Sequence, residues 1–163
     1  MKTVWLVVAA VGMAGPSLVW PHGDAPLEGK ARKPVVATDE RAFGREGDPQ
    51  KVSRTVRIDM ADTMRYSPSQ ISVRQGETIR FEIRNSGKVM HELVLGTKKE
   101  LEAHATLMKK HPGMEHDEPH MAHVAPGKTG HVVWQFSRRG EFFYGCLLPG
   151  HFEAGMIGTV IVK

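Results

Sequence analysis

Between Thr55 and Val162, apolar side chains return at every second position in short runs separated by turn residues. Val56, Ile58 and Met60 alternate with Thr55, Arg57 and Asp59, and Ile79, Phe81 and Ile83 with Arg80, Glu82 and Arg84. Ile71 and Val73, Leu93 to Leu95, Trp134 and Phe136, Phe142 to Tyr144, and Thr159 to Val162 complete the set. A period of two buries one face of a strand and wets the other. Ser67-Pro68, Gln75-Gly76, Asn85-Ser86-Gly87, Pro126-Gly127, Arg139-Gly140 and Pro149-Gly150 punctuate the runs. The pattern predicts an all-β chain of seven or eight short strands folded as an antiparallel β-sandwich. One helix interrupts it. Thr97 and Glu100 form a capping box, Leu101, Ala105 and Met108 follow at helical spacing, and Pro112-Gly113 stops the run.

With 163 residues, the chain has room for one ordinary domain. Lys2 precedes an apolar run from Val4 to Ala14, the length of a signal h-region and too short to span a bilayer. Residues 1–21 therefore read as a signal peptide, with a membrane anchor as the outcome only where it stays uncleaved. Residues 22–51 are polar and rich in Gly and Pro, and read as a flexible tail. The domain itself is expected over residues 52–163. A net charge of +4 without a Lys/Arg block gives no support to nucleic-acid binding.

Composition narrows the chemistry. A lone Cys excludes a disulfide framework, a Cys-rich zinc site, an iron–sulfur cluster and a dinuclear copper centre bridged by two thiolates. Nine His and nine Met stand out, because imidazole and thioether are copper ligands. Cys146, His151 and Met156 lie in a C-x₄-H-x₄-M pattern on a loop between the last two strands. The fourth ligand must come from elsewhere. His91 opens a short apolar strand that can lie beside the strand ending at Cys146. Its competitor, His131, sits among polar neighbours. Two imidazoles, a thiolate and a weak axial thioether describe a type 1 copper site. Soft sulfurs favour Cu(I) and imidazoles accept Cu(II), so one geometry serves both states.

On these residues the chain resembles the cupredoxins, the small blue copper proteins, over about residues 52–163. The x₄/x₄ spacing is closest to a rusticyanin-like pattern, and Met60 to Thr97 is similar to the family's N-terminal half. The resemblance implies a Greek-key sandwich with one copper ion near an end, held by His91, Cys146, His151 and Met156. It also implies that Leu147, Leu148, Pro149 and Phe152 form an apolar patch where a cytochrome or oxidase partner docks. One departure matters: many cupredoxins carry Asn after the first His ligand to tie the two ligand loops, and this chain has Glu92.

Five His and three Met fall between residues 104 and 123: His104, His111, His116, His120, His123, Met108, Met114 and Met121. Their density suggests additional, weakly bound copper at an exposed loading or scavenging site. The pair His116-x₃-His120 is not a metalloprotease motif, because Pro119 breaks any helix there and no Glu follows His116. The chain has no His-x-His pair of the kind a copper oxidase or nitrite reductase needs, so an enzyme is not expected. The exported, His/Met-rich form is similar to the periplasmic copper-tolerance cupredoxins. The expected role is a periplasmic copper-binding protein of the electron-transfer class serving copper tolerance. The alternative is a respiratory electron shuttle.

Overall fold

The alternating runs become strands in a computed structural model that describes residues 39–112 and 117–163. In chain order they are β1 (Arg45–Glu46), β2 (Arg54–Ala61), β3 (Arg65–Ser67), β4 (Gln70–Val73), β5 (Thr78–Asn85), β6 (His91–Gly96), β7 (Met121–Val124), β8 (Thr129–Gln135), β9 (Gly140–Gly145) and β10 (Ile157–Val162). The helix α1 (Lys98–Lys110) joins β6 to the segment before β7. Two five-stranded sheets form, in the orders β1-β8-β5-β2-β3 and β4-β10-β9-β6-β7.

The inward positions are those the alternation selects. Ile79, Phe81 and Ile83 of β5 are fully buried, and they meet Leu93, Leu95, Tyr144 and Val160 of the other sheet in one core. Each such side chain contributes about 1.5–3 kcal/mol on leaving water. The sandwich is as expected, but each sheet contains one parallel pair, β2 with β5 and β10 with β4. Side-chain period is the same in parallel and antiparallel strands, so the sequence pattern does not distinguish them.

The helix begins as its capping box dictates. Thr97 Oγ1 accepts from Glu100 N at 3.3 Å, and Glu100 Oε2 accepts from Thr97 N at 2.9 Å. Leu101, Ala105 and Met108 bury one stripe against Val94, Met121 and Leu147, with Phe143 and Phe152 at the margin. This second, smaller core explains why β6 reads as a continuous apolar run: both of its faces are covered.

The expectation of a flexible tail through residue 51 is corrected over residues 39–51. Phe43 is 1% exposed and stacks on Trp134 with ring centroids 5.1 Å apart. Trp134 Nε1 donates to Phe43 O at 3.0 Å, and β1 pairs with β8. A single aromatic anchor followed by a two-residue strand carries no period, so the sequence shows no element there. The expected signal peptide lies outside the described residues. Among those described, no helix is long and apolar enough to cross a membrane.

Candidate metal centre

Cys146 is the first residue after β9, and Met156 the last before β10. Cys146 N donates to Met156 O at 3.1 Å, Met156 N to His151 O at 3.0 Å, and His151 N to Leu148 O at 3.0 Å. The loop thus closes on its own backbone, and its three candidate ligands are held by the ends of the hairpin. His91 opens β6, which runs antiparallel beside β9. Sheet pairing, not chain proximity, delivers it to the thiol 55 residues later.

The donor atoms of His91, Cys146 and His151 all lie within 4.8 Å of one another. Cys146 Sγ is 3.2 Å from His151 Nδ1, and the His91 and His151 rings are 5.0 Å apart at 55°. Cys146, Met156 and His91 are fully buried, whereas His151 is half-buried. His131 stands exposed on β8 opposite Glu82, away from this group. Among the described residues this is the one group of three or more such side chains able to hold an ion.

Burial sets the protonation of the donors. Burial pushes the Cys146 thiol up to about 12, partly opposed by the Glu92 N–H directed at the sulfur from 3.5 Å. Burial also holds His151 below its ordinary value, with the His91 ring adding to the effect, so its imidazole is kept neutral. His91 Nδ1 is buried without a hydrogen-bond partner. A buried polar nitrogen left unpaired costs about 1–3 kcal/mol. Its nearest chemical use is as a metal donor. Copper fits the chemistry of this set: His91, Cys146 and His151 would be its strong donors and Met156 a weaker thioether donor.

Glu92 takes the place of the family's Asn and keeps the tie between ligand loops. Its Oε1 accepts from Leu147 N at 2.7 Å, and its backbone carbonyl accepts from Tyr66 Oη at 2.7 Å. Its Oε2 lies 2.8 Å from His123 Nε2, a residue of β7 directly opposite Glu92. Sequence reading noted Glu92 only as a departure and missed both His123 and Asp62, whose Oδ1 accepts from the His91 Nε2–H at 3.1 Å.

Among the described residues, the histidines expected at a secondary copper site form no group of three or more His, Cys, Asp or Glu side chains able to hold an ion. Met108 and Met121 point into the core under α1, 3% and 7% exposed. His120 is buried against Phe43 and Trp134, with ring centroids 5.6 and 6.0 Å away. His123 is committed to Glu92, and its other nitrogen lies 3.6 Å from Asp117 Oδ1. His104 is half-buried on α1 and His111 is exposed at its end, while Met114 and His116 lie outside the described residues. Composition gave the residue types without the direction each side chain faces. The residues of the expected docking patch differ in their exposure. Leu147 is 1% exposed beneath α1, while Leu148 and Phe152 are half-buried and Pro149 is exposed.

Comparison with known proteins agrees with the geometry. Residues 52–163 match the family model described as copper binding proteins, plastocyanin/azurin family. A "Copper-resistant cuproprotein CopI" of Rubrivivax gelatinosus is 52% identical over 121 residues, 74% of this chain and 73% of that protein. A protein of the same name in Pseudomonas aeruginosa is 30% identical over 152 residues, covering 76% and 83%. Among solved structures, auracyanin B superposes with a TM-score of 0.62 at 22% identity, covering 76% of this chain and 96% of its own, a likeness of fold. The two-sheet sandwich, the buried His–Cys–His donor set beside Met156 and the match over residues 52–163 place the chain in the plastocyanin/azurin family of copper-binding proteins.

Proposed function

We propose that this protein serves copper tolerance in the periplasm, holding one type 1 copper ion and exchanging single electrons with a redox partner. The observation that carries the reading is the convergence of His91, Cys146 and His151 in a buried pocket, in a chain 52% identical to a copper-resistant cuproprotein. Bound copper supplies a one-electron couple. The chain supplies what makes such a couple fast and selective. Its backbone fixes the thiol and thioether at the two ends of a closed hairpin. Its core excludes water from three of the four donors, so no position stands open for a substrate. His151, half-buried, is the ligand that reaches the surface. The apolar run before Ala14 supports export.

The partner's landing surface follows from what is exposed beside the imidazoles. Val89 and Met90, immediately before His91, are 45% and 43% exposed, and Leu148 and Pro149 precede His151. Four apolar residues flanking two neighbouring rings form a small, weakly polar contact suited to a transient redox encounter. Leu148 and Pro149 belong to the patch the resemblance implies, and Val89 and Met90 extend it. This exposed patch is also what a dedicated respiratory shuttle would need.

The test is growth on copper in a host lacking its own copy. The full chain should restore tolerance and Cys146→Ser should not. Restoration by both would overturn the reading. Loss of respiratory electron flow without any change in tolerance would favour the shuttle.

A further inference from the structure

Asp62 lies in the turn between β2 and β3, outside the ligand set and outside both ligand loops. Its carboxylate nonetheless gathers three groups of the segment that delivers His91. Oδ2 accepts from Lys88 N at 2.8 Å, while Oδ1 accepts from Val89 N at 3.4 Å and from the His91 Nε2–H at 3.1 Å. A carboxylate only accepts, so the contact fixes the ring proton on Nε2 and leaves Nδ1 bare. Nδ1 is the atom found buried and without a hydrogen-bond partner. The notch that admits Asp62 is itself specified, since a Cβ at Gly87 would collide with Asp62 Oδ1 and its carboxyl carbon. The turn is held from the other side by Met64 N donating to Ala61 O at 3.0 Å.

We propose that Asp62 is the positioning residue of the copper site: it selects the His91 tautomer that donates through Nδ1, and its negative charge, relayed through the imidazole, favours Cu(II) over Cu(I). A ligand imidazole hydrogen-bonded to a carboxylate is a stronger donor than one bonded to water. An anion near the metal stabilises the more highly charged ion. Nothing in this requires Asp62 to change protonation.

Asp62→Asn and Asp62→Ala separate the two parts, because Asn keeps an acceptor and loses the charge. In the copper-free protein, ¹⁵N NMR should show His91 protonated on Nε2 in the natural sequence and in Asp62→Asn, and a mixture of tautomers in Asp62→Ala. In the copper-loaded protein, Asp62→Asn should lower the Cu(II)-to-Cu(I) affinity ratio about tenfold, a rise of 59 mV for one electron. Asp62→Ala should raise the potential at least as far and weaken the thiolate-to-copper band. An unchanged His91 tautomer in Asp62→Ala would overturn the positioning role, even if unfolding of the copper-free protein showed lost stability. A potential that Asp62→Asn moves by less than about twofold in affinity ratio would overturn the charge role.

Discussion

Glu92 Oε1 receives the Leu147 N–H at 2.7 Å, so a buried carboxylate beside one ligand clasps the backbone beside another. Glu92→Ala would strand that N–H in the interior and remove the acid 2.8 Å from His123. We expect a loss of about 2–4 kcal/mol in urea unfolding of the copper-free protein. Glu92→Gln retains an acceptor for Leu147 and should cost less. A loss under about 0.5 kcal/mol for the alanine variant would mean that the clasp contributes no stability.

Copper must displace a proton. The Cys146 thiol sits at about 12, and His151 is held neutral by burial, so one proton leaves per copper bound at neutral pH. Copper affinity, followed by competition with a chelator, should rise about tenfold per pH unit between about pH 7 and pH 9. Cys146→Ser should abolish both the slope and the intense visible band. A flat profile in the natural protein would show the thiol already ionised.

His120 should make the fold acid-sensitive. Burial, aided by the Arg41 charge, takes it from 6.5 down to about 4. The unfolded chain binds the proton first, so stability is full above 6.5 and falls as pH drops from 6.5 towards 4. The total is on the order of 3 kcal/mol. His120→Phe keeps a ring against Phe43 and Trp134 and should flatten this window in denaturant midpoints measured across pH. An equal acid slope in both proteins would assign the sensitivity to another group.

Met90 is an exposed apolar side chain next to a ligand that is itself sealed from solvent. Met90→Glu should slow electron exchange with a redox partner about tenfold or more while leaving the visible spectrum unchanged. Leu147→Asp should instead unfold or unload the site, because Leu147 is packed under α1. Unaltered exchange in Met90→Glu would move the landing surface elsewhere.

What the sequence made legible depended on whether the signal was local. β5 and its alternation, the Thr97–Glu100 cap and the C-x₄-H-x₄-M loop are each written within a few residues, and each appears in the structure. Asp62 is 29 positions from His91 and meets it only because β2 and β5 lie parallel, a pairing that period two leaves open. His123 faces Glu92 through the β6–β7 register. Phe43 is one ring in a polar stretch, and its partner Trp134 lies 91 residues away. Met108 and Met121 show the converse: the sequence gives their donor type but not that they pack under α1, since residue counts carry no orientation.

Three of the four donors are walled in, and the fourth, His151, reaches the outside only along part of its ring. Under the proposed function, arrival and departure of charge share a single doorway. A reductant and an oxidant would then take turns on the same small surface, each leaving before the other can settle. Throughput of such a relay is set by how quickly its visitors let go, and a contact that gripped more tightly would slow the traffic.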